Sequence, residues 1–572
     1  MSLPTTSPHT FALEAYALRS YNYYERLVDR DGLPYFNVFW TEPAEAAHDW
    51  PDFGDVMARQ LQAAIMARHM TGVKTPIEDT WYRKLLSYID HETGIYRRPV
   101  TSFSPETDAL VGDGSLILYA LATAYLDNGD ADLRRIITRM VDAFLVAAEQ
   151  AALDGHGSFG GFPIKSLMAC ARHLDYEPAL EVARRLVQAQ FHDAPAFAPD
   201  NTFRHGGHMH GNLRTLSGAA DYALYVNDPV LYSRVDALYR YVRSEATRFG
   251  FMPEVIGRRG DVVACETCAL MDYAAPAATL ANHGHPEYWG DVERLARNHL
   301  VESQVADASW LHSDNSREDT EQFTWRDIGE RVIGAYAGWS SPNHILACRE
   351  NLHWGGPELR GKTRALQNCC GGSGTHALFI IWKNAARFED GCLSINMHID
   401  KRLPQAEIRC FQPYQGRLTV KLDVPCRVRM RIPEFVSADE TRLTANGTKL
   451  QGRAWGNYVE LDEQPAGTLI EMAYPLPIRD EEISIGNPGF RQYRYRVTWK
   501  GDTVIKMQPL GNEFATGYSD FENAEAEVFY GEAGPGPLYR RDHMLVDAEP
   551  APSTIHPDDG ALDLWRFSAP SR

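Results

Sequence analysis

Asn368-Cys369-Cys370-Gly371-Gly372 places two adjacent thiols in a glycine-rich segment, about a hundred residues after Ala264-Cys265-Glu266-Thr267-Cys268. Thiolates, imidazoles and carboxylates are the groups that build tetrahedral zinc sites. One such site would tie these two remote segments together, and it would hold a nucleophilic thiolate at neutral pH. We therefore predict a zinc site here, with the vicinal cysteines in a glycine-rich turn.

The local conformation of residues 264–268 determines which side chains can be ligands. In an extended segment Glu266 and Cys268 share a face, whereas in a helix Cys265 and Cys268 do so. Val262-Val263 favours an extended entry, and Thr267 is a suitable cap for a helix that starts near Cys268. A site made only of the four cysteines and a set of buried free cysteines are the alternatives. The favoured zinc ligands are Glu266, Cys268, Cys369 and Cys370.

Bulk composition limits the class of protein. The 572 residues carry 57 Lys+Arg against 76 Asp+Glu, a net charge of −19, which argues against nucleic-acid and anionic-membrane partners. We find no basic and apolar leader and no apolar run long enough to span a membrane. Nine cysteines in a long chain do not resemble a disulfide framework, so we expect a reducing, cytoplasmic environment.

A helical period of apolar residues runs through much of the chain. We expect residues 1–50 to form an irregular arm, packed on a helical domain over 51–389. Antiparallel helix pairs in a domain of this size commonly curl into an α/α toroid. The predicted helices cover residues 56–66, 78–91, 114–127, 131–152, 163–173, 177–191, 208–225, 229–246, 268–282, 288–305 and 374–387.

The period changes to two after Asp390. Residues 393–399, 417–424 and 427–432 alternate between apolar and polar side chains, and Ala445-Asn446-Gly447-Thr448 marks a turn. We therefore predict antiparallel β-sandwich structure over 390–540. The remaining 541–572 are rich in Pro, Asp and Ala, and form either a tail or a segment that wraps back.

Further polar residues are candidates for a site. Glu254, in a loop-like stretch, is a candidate proton donor beside the metal, although a solvated loop glutamate is the simpler interpretation. His205, His208 and His210 precede a helix and could hydrogen-bond sugar hydroxyls, bind metal or cap the helix. Asp55 opens the first clear helix, where it would also complement the helix dipole.

These segments together resemble glycoside hydrolase family 127, the β-L-arabinofuranosidases. Cys265-Glu266-Thr267-Cys268-Ala269 is similar to the family's Glu-Thr-Cys-Ala segment, and Cys369-Cys370 stands where the family has a vicinal pair. The resemblance covers most of residues 50–480. Weaker matches are Asp55-Val56-Met57-Ala58, His210-Gly211-Asn212-Leu213-Arg214, residues 393–399, Arg431-Ile432-Pro433, Ala445-Asn446-Gly447 and residues 474–479.

The resemblance implies a fold and a mechanism. It implies an N-terminal (α/α)6 barrel followed by β-sandwich domains, and zinc held by Glu266, Cys268, Cys369 and Cys370. The nucleophile would be Cys369, which would form a glycosyl thioether in a retaining double displacement. Glu254 would be the acid/base, although it lies closer to Glu266 along the chain than the family spacing leads us to expect. Asp55, His205, His208 and His210 would contact the sugar.

Three features depart from the family pattern. The vicinal pair is followed by Gly371-Gly372-Ser373-Gly374 rather than Pro-Pro-Asn, and Gln367 stands where the family often has a further cysteine. The Cys265 thiol is additional. Because these changes flank the site, the sugar could be another furanoside or an acidic sugar.

The sequence therefore predicts a zinc-dependent, exo-acting glycosidase with a cysteine nucleophile and a small oligosaccharide or glycoside as substrate. One alternative is an α/α-barrel lyase, uronyl hydrolase or epimerase that uses histidines and carboxylates. The other is a non-catalytic carbohydrate-binding protein with structural zinc. The oligomeric state is open, with a homodimer as one option.

Overall fold

The architecture is taken from a computed structural model of the protein. It describes residues 8–104, 107, 109, 111–149, 160–193, 195–204, 207–256, 264–345, 362, 364–485, 493–508 and 547–565. Among these residues, no helix combines the length and the apolar character that crossing a membrane requires.

Helices dominate the first two thirds of the described chain. Their bounds are α1 Glu14–Arg26, α2 Asp55–Thr71, α3 Pro76–Ser87, α4 Asp113–Asn128, α5 Ala131–Glu149, α6 Ile164–His173, α7 Glu177–Gln188, α8 Met209–Val226, α9 Pro229–Glu245, α10 Thr267–Asn282, α11 Tyr288–Leu295, α12 Ile328–Arg331 and α13 Cys369–Ala385. The predicted helices overlap α2 to α11 and α13.

Six of these helices contact one another in a cycle. α2 contacts α4, α4 contacts α6, α6 contacts α8, α8 contacts α10, α10 contacts α13, and α13 contacts α2. Four of them, α2, α4, α10 and α13, are buried over nearly their whole length. The neighbouring α7 buries only one face, through Ala179, Val182, Ala183 and Leu186. Burial on all sides of these four helices and one-sided burial of α7 are consistent with an inner and an outer layer of helices.

The strands fall into five described sheets. Their bounds are β1 Asn37–Phe39, β2 Glu45–Ala47, β3 Cys265–Glu266, β4 Phe323–Thr324, β5 Trp339–Ser340, β6 Arg364–Gln367, β7 Ala386–Glu389, β8 Cys392–Ile395, β9 Lys401–Leu403, β10 Ala406–Cys410, β11 Arg417–Leu422, β12 Cys426–Arg431, β13 Arg442–Ala445, β14 Thr448–Leu450, β15 Arg453–Trp455, β16 Tyr458–Gln464, β17 Leu469–Ala473, β18 Ile478–Ile485, β19 Tyr493–Lys500 and β20 Thr503–Gln508.

Two sheets after α13 share one apolar core. One sheet has the order β14-β13-β17-β11-β10-β9, and the other has the order β15-β16-β12-β8-β7. Residues of both sheets, such as Leu393, Val428, Ile408 and Val420, belong to the same buried cluster. Pairing is antiparallel except between β8 and β12, which are parallel. The region is therefore mixed where the sequence predicts antiparallel strands throughout.

The N-terminal residues are more regular than predicted. Instead of an irregular arm, residues 14–26 form α1, which buries Ala17, Tyr21 and Tyr24 at spacings of four and three. Residues 37–39 form β1, which pairs with β2 and with β6. The aromatic residues that obscured a helical period in the sequence are the ones that α1 buries.

The last described segment, residues 547–565, packs against distant parts of the chain. His9 bridges to Ala551, and Arg402 bridges to Pro557. Asp558 accepts a hydrogen bond at 2.8 Å from each of two buried lysines, Lys383 of α13 and Lys401 of β9. This segment therefore connects the N-terminal residues, the helical region and the sheet region.

Candidate metal centre and active site

Four helices of the contact cycle begin at one place in the molecule. Asp55 opens α2, His208 is the N-cap of α8, Glu266 precedes α10, and Cys369 opens α13. Backbone N–H groups at helix N-termini favour nearby negative charge, including thiolates and carboxylates. The fold therefore gathers these acidic and thiol side chains at the N-terminal ends of four helices.

The predicted thiol and carboxylate residues lie together. Glu266, Cys268, Cys369 and Cys370 are buried, and one ligand atom from each lies within 4.8 Å of all the others. The Sγ atoms of Cys268 and Cys370 are 3.5 Å apart, and those of Cys369 and Cys370 are 4.0 Å apart. Cys265 lies outside this group and packs in the apolar core.

Residues 264–268 have the conformation that the valines favour. Cys265 and Glu266 form β3, which pairs with β5, and α10 begins at Thr267. Cys265 and Cys268 therefore do not share a helical face, whereas Glu266 and Cys268 point into the same cluster.

The glycine-rich turn predicted at the vicinal cysteines is wrong, because Cys369 and Cys370 are the first residues of α13. The glycines permit close packing instead. A Cβ at Gly371 would lie 2.4 Å from the Tyr23 hydroxyl, and one at Gly372 would lie 2.7 Å from the Arg59 backbone carbon. The absence of side chains here lets α13 approach its neighbours.

The three thiols differ in exposure and in pKa. Cys268 and Cys370 are 0% exposed, whereas Cys369 is 7% exposed. Hydrogen bonding with Cys268 and Cys370 lowers the pKa of Cys369 to about 6, while burial raises the pKa of Cys268 to about 11. The pKa of Cys370 is raised well above its usual range by burial. Cys369 is therefore the thiol of the three that ionises most readily, and the one with a small exposed fraction.

Glu254 and His208 form a second polar group beside Glu266. Backbone bonds fix Glu254 between two elements, since Met209 donates to its carbonyl at 2.8 Å and it donates to Ala264 at 2.7 Å. One ligand atom each of His208, Glu254 and Glu266 lie within 4.8 Å of one another. Glu254 is therefore a buried carboxyl next to the thiol cluster rather than a solvated loop residue.

The hydrogen bonds of His208 define its tautomer. Gly211 N–H donates to its Nδ1 at 3.5 Å, so Nε2–H donates to the Glu266 carboxylate at 3.2 Å. Burial acts to lower the pKa of His208, but the bond to Glu266 and the negative charges of Glu266 and Glu254 outweigh it and raise the pKa. His208 thus links the two glutamates.

His210 and Asp55 are both joined to the thiol cluster through Arg59. The Arg59 guanidinium donates to His210 Nε2 at 3.1 Å, so His210 Nδ1–H donates to the Asp272 carboxylate. Asp55 accepts from Arg59 Nε and is 24% exposed. Both ring nitrogens of His210 are therefore hydrogen-bonded within the protein, and the Asp55 carboxylate pairs with the Arg59 guanidinium. His205 lies outside the described residues.

Sequence reasoning missed Arg59, Asp272 and Ser373 as members of this network. Asp55 and Arg59 have the i, i+4 spacing of a helical ion pair, so the sequence does indicate that these two side chains could pair. Such pairs are usually on the surface, and the sequence does not show that this one is buried between helices.

The donor set fits a tetrahedral metal ion. Ligand bonds of about 2.3 Å in a tetrahedral zinc–thiolate site place sulfur atoms about 3.8 Å apart. The two Sγ–Sγ distances, 3.5 and 4.0 Å, bracket that value. Soft thiolates with one carboxylate are a zinc-type set rather than a set for calcium or magnesium.

Comparisons with known proteins agree with the resemblance. The GH127 β-L-arabinofuranosidase Ara127N-Se from Geobacillus stearothermophilus T6 superposes with a TM-score of 0.55 at 13% identity, over 79% of this chain and 77% of that one. A GH127 β-arabinofuranosidase superposes with a TM-score of 0.55 at 12% identity, over 88% and 84% of the two chains. A structure described as a glycoside hydrolase gives a TM-score of 0.56 at 14% identity, with 84% of each chain covered.

No family model matches the sequence, and the search of curated proteins returns no match. At such low identities the superpositions establish the fold. The chain therefore has the fold of the GH127 β-L-arabinofuranosidases, and its buried cysteine–glutamate cluster has the composition that the resemblance implies.

Proposed function

We propose that this protein is a zinc-dependent retaining glycoside hydrolase with a cysteine nucleophile, acting on a β-L-arabinofuranoside or a related furanoside. One observation carries the proposal. Three thiols and a carboxylate meet at metal-ligand spacing, and only Cys369 among those thiols has exposed surface. A purely structural metal site would have no need of an accessible ligand.

Glu266, Cys268, Cys369 and Cys370 would hold the ion. Bound there, zinc would keep the Cys369 sulfur in its thiolate form and fix its direction. The four helix N-termini that surround the cluster support the same ionisation.

The chain's own residues would then carry out a double displacement. The Cys369 sulfur attacks the anomeric carbon, a carbon–sulfur bond forms, and the glycosidic carbon–oxygen bond breaks. Glu254 gives its proton to the leaving oxygen. It then removes a proton from water, which attacks the same carbon and releases the sugar and the thiolate.

The two glutamates have different tasks in this proposal. Glu266 would be a metal ligand, and it accepts a hydrogen bond from His208 at 3.2 Å that fixes the direction of its carboxylate. Glu254, whose carboxylate lies 3.9 Å from the same imidazole nitrogen, would exchange the proton. Their neighbouring positions around His208 support this division.

We further propose that the cycle of α2, α4, α6, α8, α10 and α13 is the inner wall of an (α/α)6 barrel, with the two sheets after it packed as a β-sandwich. The closed set of contacts and the shared sheet core support this architecture. The described cysteines are all free thiols, which supports a reducing, cytoplasmic location.

Hydrolysis of an aryl β-L-arabinofuranoside tests the proposal directly. Wild type should turn it over, and Cys369→Ala should lose about 10⁴-fold or more in kcat while keeping its circular dichroism spectrum. Cys170→Ala is the matched control, because Cys170 is buried in α6 within the apolar core. Turnover by Cys369→Ala at the wild-type rate would refute the cysteine nucleophile.

A further inference from the structure

Arg59 of α2 is a buried cation that contacts three other helices of the site. It lies in the second turn of α2, and 7% of it is exposed. Its Nε donates to Asp55 in the same helix, and its Nη1 donates to Ser373 of α13 at 3.1 Å. Its Nη2 donates to His210 of α8 at 3.1 Å. Nη1 also reaches the Cys268 sulfur of α10 at 3.9 Å.

The orientation of the guanidinium is fixed from two sides. Asp55 holds one edge, and His210 holds the other through its lone-pair nitrogen. His210 is itself held by Asp272, so the imidazole has no freedom to turn away. With Ser373 as a third partner, the Arg59 plane is defined before any ligand binds.

The backbone around Arg59 is fitted closely to α13. A Cβ at Gly372 would lie 2.8 Å from both the Arg59 carbonyl oxygen and its Cβ. This places α2 against the first turn of α13, next to the vicinal cysteines. A displacement of Arg59 would therefore disturb both the Cys268 sulfur and the first turn of α13, which carries Cys369 and Cys370.

We infer that Arg59 is a positioning residue of the thiol site: its N–H group directs the Cys268 sulfur toward Glu266 and Cys370, so that the ligand set is preorganised for the metal. The inference rests on the proposed metal site. Arg59 touches a ligand rather than the substrate, and its role is to hold that ligand. Hydrogen bonds from outside the coordination sphere typically account for a 10–100-fold effect on metal affinity.

Zinc affinity, measured by competition with a chromophoric chelator, tests this inference without any substrate. Arg59→Met should weaken zinc binding by about 10–100-fold. Arg59→Lys should recover part of that loss, since an ammonium can donate to the sulfur but cannot bridge His210 and Ser373 as well.

Arg294→Met is the matched control. Arg294 of α11 is also a buried arginine with several polar partners, and it donates to Glu434 at 3.0 Å and to Asp291 at 2.6 Å. This variant should lose thermal stability but keep the wild-type zinc affinity. Equal zinc affinity in wild type and Arg59→Met, or an equal loss in Arg294→Met, would overturn the inference.

The readout separates this inference from the proposed activity. A wild type that binds zinc but hydrolyses no furanoside would refute the proposed substrate, while the series of zinc affinities would still test Arg59. A wild type that binds no zinc would refute both. If Arg59→Met does not fold, Ser373→Ala removes one of the bonds that orient Arg59 and should weaken zinc binding in the same direction.

Discussion

At the scale of single residues, the site depends on differences between chemically identical groups. Cys369 and Cys370 are adjacent, yet only Cys369 combines exposed surface with a pKa lowered to about 6. Glu254 and Glu266 are both buried, yet only Glu266 lies within the thiol cluster. In the proposed mechanism, each group has a different task because of its position relative to the cluster, not because of its residue type.

Glu254→Gln should lower turnover of an aryl β-L-arabinofuranoside by about 10²–10⁴-fold, because the amide can neither give nor take the proton. Added azide should restore part of the rate and yield a glycosyl azide, since azide needs no general base. Steady-state kinetics with product analysis measures both effects.

Glu330→Gln is the control for this variant. Glu330 is exposed and pairs with Arg26, so its loss should leave the rate unchanged. A Glu254→Gln enzyme with wild-type turnover and no response to azide would remove Glu254 from the proposed mechanism.

Much of this residue-level account was accessible from the sequence. The two valines before Ala264 favoured an extended segment, and that conformation selects Glu266 over Cys265. Arg59 was not accessible, because the sequence gives its i, i+4 partner but not the helices that enclose it. The engagement of both nitrogens of His210 also depends on Asp272 and Arg59, which long-range packing brings to it.

At the scale of elements, apolar period predicted where helices lie but not how they start. α13 begins at Cys369, five residues before the predicted start at residue 374. Glycines normally weaken a helix, so Gly371 and Gly372 were interpreted as a turn. Tertiary packing reverses that preference, because any side chain there would collide with Tyr23 or Arg59.

A buried ion-pair network joins α11 to β12 at the junction of the helical and sheet regions. Glu293 of α11 is 0% exposed. It accepts a hydrogen bond from Arg297 at 2.9 Å, from the His398 backbone at 3.0 Å, and from Arg431 of β12. Burial acts to raise the pKa of Glu293, but the charges of Arg297 and Arg431 outweigh it and lower the pKa to about 2.

Glu293→Gln should lower the free energy of unfolding by about 3–5 kcal/mol at neutral pH, since two buried arginines lose their counter-charge. The pKa of Glu293 is lower in the folded protein than its usual 4.5. The ionised Glu293 carboxylate therefore stabilises the fold fully above pH 4.5, and this contribution to the free energy of unfolding is lost as pH falls toward about 2. The difference between variant and wild type should therefore shrink below pH 4.5 in urea-unfolding curves.

Glu318→Gln should show neither effect, because the Glu318 side chain is 89% exposed where it pairs with Arg326. A stability difference for Glu293→Gln that is constant across the acid range would contradict the assigned pKa.

At the scale of the whole molecule, the parts are held together by contacts between residues far apart in sequence. Periodicity predicted helix pairs and a later sheet region. It could not predict that α13 packs against α2, because that contact depends on which helix faces come together in the folded chain. Nor could it place residues 547–565, whose weak pattern gave no sign that Asp558 pairs with Lys383 and Lys401.

Asp558→Asn tests how much that last segment contributes. Lys383 and Lys401 are buried and both donate to the Asp558 carboxylate, so the amide would remove the negative charge that both buried ammonium groups contact. We expect a loss of about 3–5 kcal/mol in the free energy of unfolding, measured by chemical denaturation.

Asp559→Asn is the neighbouring control. Asp559 is exposed and accepts only a local backbone bond from Ala561 at 2.9 Å, so the change should be within about 0.5 kcal/mol. Equal stability of Asp558→Asn and Asp559→Asn would mean that the segment adds little to the fold.

The zinc content of freshly purified, reduced protein, measured by elemental mass spectrometry, tests the central claim most directly. Wild type should carry about one zinc per chain, and a Cys268→Ser/Cys370→Ser variant should carry almost none, because it lacks two of the four ligands. The account would be contradicted if wild-type protein purified without any chelator contained no zinc. It would also be contradicted if the double variant kept the full wild-type zinc content.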